Sequence, residues 1–446
     1  MHILFPPLNA ELRRALQILP RVLDAVMPLN AAHRRDLPQA VEELSTRLTR
    51  DRSALHKPYW SAPRLTSAYL RYFLPWNILR LTRLFSGLEL PEPLPRAPHD
   101  GQSPLPRLLV DIGSGPLTVP LALWLARPRW RALPLTVLCL DAAPRPLELG
   151  RRLFLAVAGP DAPWRIVTRR ASADAFLRET RDTPGVPWLL TAANVLNELK
   201  ARPGREEEDR TAGIVEQTAH LLTAPDARAL FVEPGTRLGG KTIVSLRETA
   251  LEEGLFPEHP CPHGKACPLQ ESRTWCHFTC DAAGAPEWLT ALSRDARLHK
   301  DALSLAFVLL RPMPEPPETR GLPGARVVSA PFAVPGLPGL ARYACTGRGL
   351  AVLADSAACP SGALADVTWP GGPDKDRKSG AWILMPQAYE APRTPASETP
   401  PPRPARPAAT RPLPPRSAKG PSRSGGQRAD AKKARRQAGP KKRGTA

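Results

Sequence analysis

The sequence predicts a doubly wound α/β fold with a largely parallel sheet, and three observations carry that prediction. Short apolar runs alternate with helical stretches from about residue 108 to residue 310, the trace that strand–helix–strand crossovers leave in a chain. The first run feeds a glycine-containing turn, DIGSGP at 111–116. The second, LTVLCLDAA at 135–143, carries Asp141 near its end.

Ahead of that pattern, residues 1–100 read as a helical region. LNAELRRALQILPRVLDAVM sets Leu12, Leu16, Ile18, Val22 and Val26 near a 3.6-residue period, and AAHRRDLPQAVEELSTRLTRDR repeats it with Leu37, Val41, Leu44 and Leu48. The next stretch, PYWSAPRLTSAYLRYFLPWNILRLTRLFSGL, mixes aromatics with arginine. Such a stripe suits a core face or an RNA-facing helix pair, and core is the commoner outcome. Residues 91–106, rich in proline and charge, read as a linker.

In RLLVDIGSGPLTVPLALWLA, 108–110 is a strand, 111–116 a turn and 117–126 an apolar helix. A strand entering such a turn lets the backbone approach a nucleotide, and the helix N-terminus favours acceptor groups there. Asp111, Gly113, Ser114 and Gly115 are the residues of this turn that would face a cofactor, although Thr118 stands where a third glycine is expected. Asp141 adds a carboxylate at the end of the second strand, which can accept both hydroxyls of an adenosine ribose. Its plainer reading is a helix cap. Cys139, inside the strand, reads as core.

WRIVTRRASADAF gives a third strand with Asp174 near its end, a candidate for the adenine edge. WLLTAANVLNEL gives a fourth at 188–193 followed by Asn194; a fifth at 229–232 ends at Glu233, and 303–310 forms another. Asn194, Glu198 and Glu233 could line a cofactor pocket or equally cap helices and sheet edges. Beyond Pro312 short segments parted by Gly and Pro, such as GLARYACTG and GLAVLADS, form a small β extension over 313–390. It contains Cys345 and Cys359.

Composition separates the tail from the rest. Of a net charge of +20, residues 391–446 hold 15 Lys or Arg and 2 Asp or Glu, a net of +13. That Pro-rich segment cannot bury enough apolar area to order itself and reads as disordered. Each cation that neutralises a phosphate releases counterion, so the tail suits salt-sensitive contact with RNA, or simple solubilisation. Arg127 to Arg131 and Arg165 to Arg170 could extend the same surface or be solvated faces. No apolar run is long enough to span a bilayer, and the first residues lack the basic start and apolar core of a signal peptide. The expectation is a cytoplasmic monomer away from membranes.

Residues 260–280, PCPHGKACPLQESRTWCHFTC, hold four of the seven cysteines and two histidines. In a reducing compartment such crowding points to a soft metal. Cys261, Cys267 and Cys276 are too widely spaced for the paired CxxC knuckles of a zinc ribbon. Proline beside Cys261 and Cys267 stiffens the loop and removes a competing backbone donor. The plainer reading is a group of reduced structural cysteines.

Taken together, DIGSGP, LDAAPRPLELG, NVLNEL, VEPGT with an Arg-bearing helix after it, and the PCPH, CPL and WCHF elements resemble the methyltransferase-like family of mitochondrial small-ribosomal-subunit proteins and their bacterial relatives. The resemblance runs from about residue 67 to residue 354. It implies a class I S-adenosylmethionine-dependent methyltransferase-like (Rossmann-like) domain over 101–312, with the cysteine-rich insert at 255–285 inside it. It further implies a [4Fe-4S] cluster on Cys261, Cys267 and Cys276, with Cys345 matching the fourth ligand better than Cys359. Cys280 departs from the family pattern and is left as a spare or competing ligand.

Two elements of methyl-transfer subtypes are missing. Asn194 is followed by Val195, Leu196 and Asn197 rather than by Pro-Pro and an aromatic, and no nucleophilic thiol stands at the fourth or fifth strand. The leading expectation is a protein of small-subunit assembly or translation that binds rRNA through a cluster-stabilised methyltransferase-like domain. The first alternative is an active S-adenosylmethionine-dependent rRNA methyltransferase, and the second a zinc-stabilised methyltransferase with a non-ribosomal substrate.

Overall fold

The computed structural model describes residues 2–49, 59–96, 105–172, 175, 185–196, 207–312, 324–337, 339–372 and 374–386. The basic tail and Asp174 lie outside the described residues. Met1–Ala391 forms one compact unit.

The chain opens with a short strand, β1 (His2–Ile3), and helices α1 (Ala10–Val26) and α2 (Ala31–Thr49). Asn9 caps α1 by accepting the Leu12 N–H at 2.7 Å, which satisfies one of the free donors of the first turn. Helix α3 (Pro63–Ala68) runs through a π-helical turn, Tyr69–Phe73, into α4 (Leu74–Gly87). The aromatic stretch divides here: Tyr72, Trp76 and Phe85 are buried, whereas Tyr59, Tyr69 and Phe73 are half-buried.

The main sheet contains β2 (Arg107–Ile112), β3 (Leu135–Asp141), β4 (Trp164–Arg170), β5 (Pro187–Ala193), β6 (Arg228–Pro234), β7 (Leu255–His259), β8 (Phe278–Asp281) and β9 (Ala302–Pro312). Its order is β4-β3-β2-β5-β6-β9-β7, with β8 also paired to β9. Strands β2 to β6 are parallel, and β9 runs antiparallel to β6 and β7. An antiparallel last strand wedged between the fifth and sixth is the class I methyltransferase arrangement that the motif resemblance implies.

Period-two alternation assigns each strand residue to a face. Leu109, Val137, Leu189, Leu230 and Phe307 join the core shared with α1, α4, α5 (Thr118–Ala126) and α6 (Pro144–Ala158). Val110, Leu138, Leu190, Phe231 and Val308 join the opposite core, under α7 (Glu207–Leu221) and α8 (Arg237–Glu252). Burial on both faces explains why the strands read as continuous apolar runs.

After α9 (Glu287–Asp295) and β9, a second sheet forms from β10 (Ala325–Val327), β11 (Arg342–Thr346), β12 (Gly349–Leu353), β13 (Ala363–Ala365), β14 (Val367–Thr368) and β15 (Trp382–Pro386). Its order is β1-β13-β10-β11-β12-β15-β14. The first strand of the chain therefore completes the sheet of its C-terminal part, a pairing that nothing in the sequence announces. The segment after β1 is held by Arg83, which donates to Phe5 O, Pro6 O and the Asp281 carboxylate. Gly87 permits the approach, since a Cβ there would meet Leu4 O at 2.2 Å. No helix among the described residues is long and apolar enough to cross a membrane.

Phe307 is fully buried in β9 and packs against Phe5 and Phe278 at ring distances of 6.3 and 5.2 Å. Phe307→Ala is expected to lower unfolding stability by about 3–5 kcal/mol, read as a reduced denaturant midpoint with an unchanged slope.

Candidate functional site

Two clusters lie at the carboxyl end and the far edge of the main sheet. The first is the turn after β2, next to the point where strand order reverses between β2 and β5, the place where open α/β sheets bind ligands. Gly113 and Gly115 take φ values of 67° and 51°, which glycine adopts at no steric cost. A Cβ on Gly113 would stand 2.6 Å from Val195 Cγ2, whereas one on Gly115 would meet nothing within 4 Å. The turn is therefore packed beneath and open above. Ser114 fixes it by donating its amide to Leu140 O and its hydroxyl to Asp111 O, both at 2.8 Å.

Asp111 is 1% exposed. Its Oδ1 accepts the Thr191 hydroxyl at 2.7 Å, and its Oδ2 has no hydrogen-bond partner among the described residues. Burial pushes its pKa up to about 7, against the opposing bonds from Thr191 and Ser114. Asp141 is engaged by the turn itself: Oδ2 accepts Gly115 N–H at 2.9 Å and Oδ1 accepts Ala143 N–H at 2.8 Å. Burial raises its pKa while those two amides hold it down. Each carboxylate oxygen retains lone-pair capacity for a further donor, so both turn-side and ligand-side contacts fit one residue.

Asn194 takes a left-handed conformation, φ 59°, at the carboxyl end of β5, and donates its amide to Val232 O at 2.7 Å. Its side-chain oxygen accepts Arg80 Nη2 at 2.9 Å. Arg80, from α4, also donates to Ser304 O and Asn77 Oδ1 at 2.9 and 2.8 Å. Arg80 is a residue that sequence reasoning missed, because a lone arginine in an amphipathic helix carries no mark of burial. Glu233 is fully buried and accepts Leu196 N–H at 2.9 Å. Asp174 and Glu198 lie outside the described residues.

The second cluster is the cysteine-rich loop. Strands β7 and β8 share one edge of β9, with His259 opposite Leu309 and Phe278 opposite Leu305. The loop between them thus leaves and rejoins that edge about 13 Å apart, at about 3.3 Å per strand residue. Helix α8 holds it from one side. Lys241 Nζ donates to the carbonyls of Leu269, Gln270 and Ser272 at 2.6–2.9 Å. Arg247 donates to His263 O and Lys265 O at 3.0 and 2.6 Å, and its Nε lies 3.3 Å from Cys261 Sγ. Gly240 leaves room for Trp275, whose Cδ1 would lie 2.5 Å from an added Cβ.

The second sheet holds the loop from the other side. Arg326 donates to Pro260 O at 3.0 Å and His277 N–H to Val328 O at 3.1 Å. His263 Nε2 lies 3.3 Å from Cys345 Sγ in β11. Cys267, Cys276 and Cys345 lie close enough to Cys261 for its charge to be felt at each of them. Burial first and then thiolate repulsion push Cys267 up to about 11 and raise Cys276 and Cys345 well above an ordinary thiol. Burial alone would lower the Arg247 pKa, but Cys261 and Glu248 beside it outweigh that and raise it. For Arg326 burial wins, lowering it to about 10 against the pull of Cys261.

The other cysteines sit apart from this group. Cys280 faces Arg83, Asp281 and Arg80, and Cys359 faces Arg342, which separates them from those four thiols. Among the described residues no three His, Cys, Asp or Glu side chains already stand in ligating geometry. The expected basic surface is also reduced: Arg127 donates to Leu88 O, and Arg131 pairs with Glu11 and donates to Trp124 O at 2.8 Å. Arg165 and Arg170 are exposed.

Because the folded pKa of Asp111 is raised above its unfolded value, its contribution is fully present below about pH 4 and is lost as pH rises through about 7. Asp111→Asn keeps an acceptor for Thr191 and removes the titration. The difference in stability between variant and wild type is expected to grow in the variant's favour from pH 4 to 7 and then level off, as read by chemical denaturation at each pH.

Residues 98–331 match the family described as mitochondrial small ribosomal subunit Rsm22. No curated protein matches the chain. Among solved structures, the chain is similar to magnesium protoporphyrin IX methyltransferase from Synechocystis PCC 6803 with bound SAM, at 10% identity over 46% of this chain and 69% of that one, TM-score 0.27. It is similar also to a SAM-dependent methyltransferase from Agrobacterium tumefaciens, at 12% identity over 54% and 63%, TM-score 0.30. An arsenic(III) S-adenosylmethionine methyltransferase from Chlamydomonas reinhardtii matches at 12% identity over 50% and 67%, TM-score 0.27. The assignment of fold rests on strand order and direction rather than on these distant likenesses. With its match spanning more than half of the sequence, its motifs in order along the sheet, and its cysteine-rich loop between β7 and β8, the chain belongs to the Rsm22 family.

Proposed function

We propose that this protein works on the small ribosomal subunit, binding its rRNA through the methyltransferase-type domain, with Cys261, Cys267, Cys276 and Cys345 holding a [4Fe-4S] cluster. The observation that carries the proposal is that the loop reaches across the boundary between the two sheets to β11, with His263 Nε2 3.3 Å from Cys345 Sγ and Arg247 Nε 3.3 Å from Cys261 Sγ. The donor set fits the group: a buried thiol, Cys345, and three half-buried ones, with the guanidiniums of Arg247 and Arg326 beside them. When bound, such a cluster supplies iron–thiolate bonds that cross-link its ligand segments. The thiols must first lose their protons, so loading is tied to pH and to folding. Arg247 and Arg326 offset the negative charge that results, and Lys241 grips the loop through backbone carbonyls alone.

The family's name supports the ribosomal assignment, and the +13 tail with exposed Arg165 and Arg170 supports contact with phosphate. A second reading, methyl transfer to rRNA, is favoured by one observation: the unpartnered Asp111 Oδ2 beneath an open Gly115. S-adenosylmethionine would supply an activated methyl group there. The turn amides and Asp141 would position its adenosine, and Asp111 would offer an acceptor to its amino acid end. Asn194, already engaged by Arg80, favours binding over transfer.

Protein purified without air is expected to be brown and to contain iron and acid-labile sulfide. Cys345→Ser should lose both and Cys359→Ser should keep both; stoichiometric zinc without sulfide would replace the cluster by the zinc alternative. Binding to small-subunit rRNA should weaken linearly on a log–log salt plot. Asp141→Ala should abolish S-adenosylmethionine binding in calorimetry while leaving rRNA binding in place.

A further inference from the structure

The half-buried rings of the N-terminal helical region have no role in the sites above. Tyr59 stacks on Tyr69 at 5.8 Å and 20°, and Tyr69 on Phe73 at 5.7 Å and 28°. Trp60 packs beside this ladder, 4.9 Å from Tyr59 and 4.7 Å from Tyr69; the three stacked rings rest against the core yet stay partly exposed, unlike Tyr72, Trp76 and Phe85, all at or below 4% exposure. Tyr69 and Phe73 open and close a π-helical turn, a form found mostly as single turns and often at functional sites.

Its position is informative. Asn77 follows Phe73 by one helical turn and accepts from Arg80, which in turn donates to Asn194 at the carboxyl end of β5. The face therefore leads to the end of the sheet where Asp111 and Asp141 stand. Arg80 is 8% exposed and its Nε has no partner among the described residues, a buried donor directed within the same group of side chains. On the other side, Tyr72 donates its hydroxyl to Leu298 O at 3.0 Å and so fixes the loop after α9. That loop presents Lys300, whose Nζ is 6.0 Å over the Tyr72 ring, and Arg297, 82% exposed and in a loose ion pair with Glu42 at 4.0 Å.

We propose that Tyr69 and Phe73 form a stacking platform for an unpaired RNA base, with Lys300 and Arg297 taking the adjoining phosphates. The proposal rests on the ribosomal reading and names the part of the RNA that meets the sheet. Single-stranded bases are recognised by stacking on aromatic rings with cations along the backbone, whereas a duplex hides its base faces. A peptide partner would gain little from stacked rings whose turn is tied through Tyr72 to a cationic loop.

The test uses the full chain and a single-stranded oligoribonucleotide carrying one 2-aminopurine, in enough salt to suppress contacts made by phosphate alone. Wild type should quench the fluorophore, and the matching duplex should not be quenched. Phe73→Leu keeps apolar bulk but removes the ring, and is expected to weaken quenching affinity about tenfold, within the range for loss of one stacked base; Lys300→Ala removes a cation and is expected to lower the salt slope of binding by about one while leaving quenching in high salt in place. Unchanged S-adenosylmethionine binding and circular dichroism would verify that the variants are folded. Equal quenching by wild type and Phe73→Leu, or equal response to duplex, overturns the platform. Failure of the wild type to bind small-subunit rRNA at all overturns the ribosomal reading instead, whereas rRNA binding without quenching overturns the platform alone.

Discussion

Strand β9 is the constraint on which the rest depends. By running antiparallel to β6 it ends the parallel sheet, and along its free edge it accepts β7 near one end and β8 near the other. Hydrogen-bond register therefore sets the distance between the two feet of the cysteine-rich loop before any ligand is present. The same strand supplies Ser304 O to Arg80 and Phe307 to the central core.

Electrostatics in the loop argue for a structure prepared to hold negative charge. Buried arginine is costly unless hydrogen-bonded and paired; Arg247 and Arg326 are 2% and 1% exposed, and of the two only Arg247 has a carboxylate partner among the described residues, Glu248. Their donors reach backbone carbonyls of the loop and of the second sheet, so both remain hydrogen-bonded whatever the state of the cysteines. Protonated thiols give them little in return. Ionised sulfur would, and proton loss from Cys276 and Cys345 against their raised pKa values is the step that a bound metal would drive.

Much of this was legible in the sequence. Apolar runs located the parallel strands because burial on both faces removes polar residues, and DIGSGP and LDAA located the turn and Asp141 because backbone approach demands glycine. Strands β7 and β8 were not legible: Leu255–His259 and Phe278–Asp281 are short and contain proline or charge, and they become strands only by pairing with β9. Arg80, Arg247 and Arg326 were hidden for a related reason, since burial of an arginine is decided by tertiary partners rather than by local pattern. The aromatic stretch at 59–85 could be assigned to core or surface only with coordinates, because its rings divide between both. Cys345 was placed with the other three by motif resemblance, not by spacing, since nothing local links residues that far apart in sequence.

The pairing of β1 with β13 bears on how the molecule is made. His2 lies opposite Leu364, so strand β1 must wait during synthesis for a partner translated some 360 residues later, roughly 20–70 s at usual elongation rates. The Rossmann-like sheet can condense in the meantime, but its smaller companion cannot be closed while the ribosome still holds the chain short of β13. Truncated products would then carry an open strand edge, a mark by which quality control can separate them from finished molecules.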